Sequence, residues 1–212
     1  MREIHLRPPR GWINDPNGFI YYKGEYHLFY QHFPYAPRWG RMHWGHAVSR
    51  NLTDWKHLDI ALFPTKTDDC DGCFSGSAVE KDGKMHILYT GVRYDTPDPE
   101  NTNCCIDDKF TAAQLHISSE DGYTFDNFNG KKTAIPPLSD PTGTKQETPK
   151  FGKETTEITM RFSAVRRTEK ADCFFTEAKI CLIGSLSITL QKTASVGCGN
   201  VPTCSKSETN MF

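Results

Sequence analysis

The residues best suited to chemistry lie together near the N-terminus, in the string Trp12-Ile13-Asn14-Asp15-Pro16-Asn17-Gly18. It sets a carboxylate beside an amide, with Pro and Gly close behind. Asp15-Pro16-Asn17-Gly18 alone satisfies a type I turn: Asp first, Pro presetting φ, Gly closing. Trp12 and Asn14 are not needed for a turn. The whole string predicts a sharp turn just ahead of a strand, with Asp15 presented as a nucleophile at the rim of a rigid sheet. Asp15 must be ionised for that role, and Asn14 can donate a hydrogen bond that helps hold it.

Other reactive residues carry weaker patterns. Eight cysteines would suit a disulfide framework in a small secreted domain. Residues 1–10 show no apolar signal segment, so the expectation is an intracellular, cytoplasmic chain with free thiols. Cys70-x-x-Cys73 and Cys104-Cys105 hold the elements of a zinc site. Adjacent cysteines make a poor second pair, however, and Cys73 runs into a strand, so no metal is expected. His43 and His46 sit in a strand-like segment and are expected to pack or hydrogen-bond rather than ligate. A net charge of −1 and a pI of 6.7 supply no attraction for nucleic acid or membrane. No apolar run is long enough to span a bilayer.

The elements that must position these residues are short antiparallel strands. Phe19–Tyr22, the turn Lys23-Gly24 and Tyr26–Tyr30 form a hairpin pattern. His43–Ser49 is a third strand and Trp55–Leu58 a fourth. The pattern then recurs, with Gly18 mapping to Gly76, Gly24 to Gly83 and Phe29 to Leu88. In the second copy His116-Ile117-Ser118 and Phe125 match Ala47-Val48-Ser49 and Trp55, after an insertion at about residues 94–110. A repeated four-stranded unit of this size predicts an all-β, propeller-like fold. Two copies cannot close a ring. After about Lys145 the alternation fades and the turn grammar disappears.

Taken together, the motifs resemble glycoside hydrolase family 32, the invertases and β-fructofuranosidases. Trp12–Gly18 matches the family's nucleophile motif. Tyr30-Gln31, Trp39-Gly40, Met42–Ala47 and Cys73–Ser77 match further motifs in family order, over about residues 5–140. The resemblance implies a five-bladed β-propeller followed by a β-sandwich, with about two blades in this chain. It implies a retaining hydrolase of terminal β-fructofuranosides (sucrose, sucrose 6-phosphate or short fructans) with Asp15 as nucleophile. Gln31 and Ser75 would bond sugar hydroxyls, and Trp12, Trp39 and Phe74 would wall the pocket. Asn14 completes the substrate-binding set. Trp44 and Trp55 are read as core. Arg38 and Arg41, which flank Trp39-Gly40, are read as loop residues. The implied partner is a small carbohydrate, with no metal and no organic cofactor.

The resemblance also implies two motifs that the chain lacks: an Arg-Asp-Pro whose Asp stabilises the transition state, and a Glu-Cys that supplies the acid/base. Both emerge from a shifted reading frame. Gln146–Pro149 written CAA GAG ACC CCA reads, two bases in, as Arg-Asp-Pro. Val196–Thr203 written GTT GGA TGT GGG AAT GTC CCG ACC reads, with the same shift, as Trp-Met-Trp-Glu-Cys-Pro-Asp. The expectation is therefore a family domain over residues 1–145 and an out-of-frame, non-native tail over 146–212, the frame breaking between about Pro141 and Gln146. Such a chain would be inactive. Rival readings are a neighbouring arabinosyl or xylosyl glycosidase, a non-catalytic sugar-binding protein and an inert truncated product.

Overall fold

The computed structural model describes residues 5–137 and, beyond them, the backbone of strand segments between Lys145 and Val196. The out-of-frame reading of 146–212 falls mostly outside the described residues. Residues 5–137 form two four-stranded antiparallel meanders, all-β apart from two short 3-10 turns. The first sheet is β1 (Trp12–Tyr22), β2 (Glu25–Phe33), β3 (His43–Ser49) and β4 (Lys56–His57). The second is β5 (Gly72–Lys81), β6 (Lys84–Tyr94), β7 (Phe110–Ser119) and β8 (Lys132–Ile135). In both sheets the spatial order follows the chain.

The internal repeat is visible in the turns. Lys23-Gly24 has φ of 46° and 89°, and Asp82-Gly83 has 51° and 74°. Two consecutive positive-φ residues make the tight hairpin loop whose twist matches the flanking strands. The core lies between the sheets. Phe29 and Trp44 from the first sheet meet Met85, Ile87, Tyr89, Leu115 and Ile117 from the second, with Phe125 closing one side. β1 packs directly against β5. Gly18 sits at that junction with φ of 51°, and a side chain there would meet Phe29, Trp44 and Ala78. At the far end of β1 the Tyr22 hydroxyl is shared between the carbonyls of Gly83 (2.6 Å) and Glu120 (2.7 Å), tying the sheets together.

Two expectations need correction. Residues 12–18 are not a turn ahead of a strand; they are the first part of β1 itself, bulged but still paired with β2. The fourth strand of the second sheet is not built around Phe125, which is buried core outside any strand; it is Lys132–Ile135. Phe125 follows a polar turn in which Asp121 accepts backbone hydrogen bonds from Tyr123 and Thr124, and the chain then needs several more residues to return to β7.

Gly76 shows how closely β5 and β6 approach. A Cβ there would run into the Leu88 carbonyl oxygen and the Tyr89 backbone. Backbone cannot yield as a flexible side chain does, so Gly76→Ala is expected to destabilise the protein by about 1–3 kcal/mol. A drop in the urea midpoint with an unchanged slope would register it; an unchanged midpoint would contradict the packing.

Candidate active site

The proposed nucleophile segment owes its shape to a β-bulge. Ile13 pairs with His32 and Pro16 with Tyr30, so three steps along β1 match two along β2. Asn14 and Asp15 are the residues that bulge. A bulge takes side chains out of the regular in–out alternation and re-aims them. Asn14 and Asp15 are accordingly exposed although they lie inside an eleven-residue strand. The Trp12 indole N–H donates to Asn14 Oδ1 at 2.9 Å. That commits the amide oxygen and leaves the Asn14 NH2 group to donate.

β5 carries the same irregularity at the same place. Cys73 pairs with Gly91 and Gly76 with Tyr89, so Phe74 and Ser75 bulge. Both are half-buried. Phe74 meets Trp39 edge-on at 6.2 Å and tilts against Phe110 at 6.5 Å. Trp39 is 40% exposed. These rings form an aromatic wall beside Ser75, the kind of apolar surface with a few placed polar groups that small-ligand sites use.

The first sheet holds the second bulge in place. Gln31 Nε2 donates to the Cys73 carbonyl (3.2 Å), the Trp44 indole N–H donates to the Phe74 carbonyl (3.0 Å), and the Cys73 N–H donates to the Met42 carbonyl (2.8 Å). Gln31 is only 2% exposed. Its NH2 group thus supports the wall from behind. Trp44 is a core residue, as expected, whereas Trp55, expected to be core too, is only half-buried and donates its indole N–H to the Leu52 carbonyl at 3.1 Å. Removing the Trp44 donor in Trp44→Phe leaves the Phe74 carbonyl without that bond and is expected to cost about 1–3 kcal/mol in a denaturation experiment. A loss of a few tenths would mean the bond carries nothing.

Behind Cys73 lies a buried polar cluster that no sequence pattern announces. Lys131 Nζ sits 2.6 Å from Asp69 Oδ2, and both side chains are fully buried. The Tyr89 hydroxyl donates to the same oxygen at 2.8 Å. Asp69 Oδ1 accepts the backbone N–H groups of Thr65 (2.8 Å) and Lys66 (2.7 Å). Burial pushes the Cys73 thiol well above its ordinary range, so it is an inert packing group rather than a nucleophile. Burial also raises the Tyr89 phenol, which stays protonated and able to donate. These residues are scattered from position 65 to 131 and meet only in the folded chain.

Arg41 at the rim is paired with Asp71 at 3.0 Å, and Asp71 also accepts the Tyr94 N–H at 2.8 Å. Arg38 is exposed. His43 Nδ1 lies 2.9 Å from the Arg41 carbonyl, and His46 packs on Phe29, so both serve structure. Among the described residues no group of three His, Cys, Asp or Glu side chains is arranged to hold a metal ion. Among them, too, no helix is long and apolar enough to cross a membrane.

Two four-stranded meanders packed side by side, each with a bulged first strand, have the form of neighbouring β-propeller blades. Comparison with known proteins identifies the family. The chain belongs to glycosyl hydrolases family 32, whose N-terminal domain model matches residues 5–178. A sucrose-6-phosphate hydrolase from Zymomonas mobilis is 56% identical over 98 residues, covering 45% of this chain and 19% of that protein. A raffinose invertase from Escherichia coli is 43% identical over 128 residues, covering 58% of this chain and 25% of its own. Among solved structures, a Bombyx mori GH32 β-fructofuranosidase superposes with a TM-score of 0.65 at 36% identity, covering 82% of this chain and 34% of that one. The chain therefore spans a minor part of each relative's length.

Proposed function

We propose that this chain is the N-terminal part of a retaining hydrolase of terminal β-fructofuranosides, with Asp15 as nucleophile. The observation that carries the reading is the pair of matched bulges on β1 and β5, which hold Asn14-Asp15 and Phe74-Ser75 out of the regular pleat. The relatives' names point to the substrate class: sucrose 6-phosphate, raffinose and β-fructofuranosides, and a variant of the silkworm enzyme was solved with sucrose. The Asp15 carboxylate would attack the anomeric carbon of the fructosyl unit as the glycosidic oxygen leaves, forming a covalent fructosyl-enzyme that water then hydrolyses. Asn14 would orient the carboxylate. Ser75 would bond sugar hydroxyls, as would Gln31 through the amide groups its bond to the Cys73 carbonyl leaves over, while Trp12, Trp39 and Phe74 would flank the ring.

Retaining hydrolysis also needs an acid/base carboxyl about 5–5.5 Å from the nucleophile. In the family resemblance that residue belongs to a Glu-Cys motif which this chain does not contain. The chain as encoded is therefore proposed to be inactive, and the full catalytic unit to be a five-bladed propeller of which this chain holds about two blades. Residues 146–212 are proposed to be out-of-frame translation, since one shift restores both missing motifs in family order. Individual relatives align over stretches of 88–128 residues, shorter than residues 1–145, while the family model runs on to residue 178. Resequencing the DNA around Pro141–Gln146 tests the frame. An uninterrupted frame there would sink the proposal. Sucrose cleavage by the chain as encoded, beside its frame-restored counterpart, tests the activity: release of fructose by the restored protein alone is expected.

A further inference from the structure

The two sheets differ in one connection. In the first, β2 passes to β3 through residues 34–42; in the second, β6 passes to β7 through the longer 95–109. Both connections stand at the end of the molecule that carries the bulges. Trp12, at the start of β1, pairs with Phe33, the last residue of β2, and Gly72, at the start of β5, pairs with Val92 near the end of β6. A chain leaving β2 or β6 therefore emerges at the end where Asn14-Asp15 and Phe74-Ser75 lie. The shorter connection carries Trp39 of the aromatic wall, and the longer one runs straight into Phe110 of the same wall.

The longer connection is built rather than slack. The Asp95 N–H donates to the Lys109 carbonyl (3.2 Å), Ile106 to Thr96 (3.0 Å) and Asp98 to Cys104 (3.0 Å), so two arms bond to each other below a tip at residues 99–103. The tip is fastened to the shorter connection. The Arg41 N–H donates to Asn103 Oδ1 (3.3 Å), and the Tyr94 hydroxyl donates to the Asn103 carbonyl (2.6 Å). Asp71, which is buried, closes the circuit by pairing with the Arg41 guanidinium and accepting the Tyr94 N–H. Asn103 thus joins the two rim connections, and its partners Arg41 and Tyr94 are joined to each other through Asp71.

This corner offers what a sugar needs. Trp39 and Ile106 put exposed apolar surface on the two connections. The Arg41 side chain is 38% exposed and spends one guanidinium nitrogen on Asp71, which leaves N–H groups over for a hydroxyl. Apolar surface beside a fixed donor is the usual make-up of a small-ligand site. We propose that this corner receives the leaving group, the sugar that departs from fructose, with Arg41 donating to its hydroxyls and Asn103 as the positioning residue that fastens the 95–109 loop beside it.

The proposal rests on the fructoside-hydrolase reading and adds which residues choose what can be attached to fructose. Attack by Asp15 on the anomeric carbon expels the glycosidic oxygen on the opposite face of the ring. A fructosyl unit lying between Asp15 and the wall therefore sends its leaving group past the wall and over the rim. Arg41 lies two residues beyond Trp39, and Phe110 ends the loop that Asn103 fastens, so this corner borders the wall from both connections. A tie that served stability alone would affect every substrate alike. A tie that holds the leaving-group side affects substrates according to what leaves.

Three fructosides that differ only in what leaves test this in the frame-restored protein: methyl β-fructofuranoside, sucrose and raffinose. In Asn103→Ala the Arg41 N–H loses its acceptor, while the bond from Tyr94 to the main-chain carbonyl remains. The value of kcat/KM is expected to fall about 10-fold for sucrose and at least as much for raffinose, and to stay within about twofold for the methyl fructoside, whose leaving group is too small to reach the rim. Tyr94→Phe, which frees the tip from the other side, is expected to repeat the pattern. An equal fall for all three substrates, an unchanged sucrose value or a rise graded with size would overturn the proposal. Amide hydrogen exchange separates that failure from failure of the hydrolase reading. In the frame-restored protein carrying Asp15→Asn, sucrose is expected to slow exchange in residues 95–105, and fructose is not. Such protection in a protein whose parent cleaves none of the three fructosides would keep the corner and sink the hydrolase; equal protection by fructose and sucrose, or none, would sink the corner.

Discussion

Asp15→Asn in the frame-restored protein is expected to lower sucrose cleavage by about 10⁴-fold or more while leaving the fold intact. The amide has the size of the carboxylate but no charge, and it cannot form the covalent fructosyl ester. Asp15 is exposed and lies in the bulge between paired residues, so its side chain supports neither ladder nor core. Stability should accordingly stay within about 0.5 kcal/mol of the parent. Initial rates of fructose release and a urea denaturation curve measure the two quantities together. A variant that keeps its rate removes Asp15 from the mechanism. An inactive parent, by contrast, would strike at the proposed activity before the nucleophile is in question.

Lys131→Met is expected to cost about 3–5 kcal/mol of stability, a large share of what a domain commonly possesses. The substitution keeps the apolar stem and removes the ammonium, leaving the Asp69 carboxylate fully buried without a counter-charge. The Tyr89 hydroxyl and two backbone N–H groups still donate to it, but they carry no full positive charge. Adding Asp69→Asn removes the stranded charge and keeps an oxygen for the Thr65 and Lys66 N–H groups. The double variant should therefore regain a good part of the loss, because an unpaired buried charge costs more than a missing pair. Urea unfolding at neutral pH compares the three proteins. A single variant within about 1 kcal/mol of the parent, or a double variant no more stable than Lys131→Met, would contradict the buried-pair account.

Much of this molecule can be read from its amino acids because its order is local. The hairpin at Lys23-Gly24, its copy at Asp82-Gly83 and the strand His43–Ser49 all follow from two-residue alternation and turn chemistry. The family match rests on contiguous strings and is equally plain. Trp12–Gly18 misled in one respect: Asp-Pro-Asn-Gly is turn grammar, yet pairing with β2 on both sides keeps it in a strand and converts the turn into a bulge. Phe125 misled in another, because a buried aromatic need not lie on a strand. Asp69, Tyr89 and Lys131 gave no signal, since nothing in their spacing marks a carboxylate, a phenol and an ammonium that meet only through tertiary folding. Gln31 stood out through its motif as a candidate, but its bond to the Cys73 carbonyl required the packing of one sheet on another.

The matched bulges on β1 and β5 separate two tasks that proteins often find hard to reconcile. Each irregularity adds one residue to an outer path while the partner strand keeps its count. Side chains at those two spots stand outside the regular ladder, so substitution there leaves the pairing register of the neighbouring residues in place. A module built this way can be copied in tandem, with each copy's bulge free to carry a different pair of side chains.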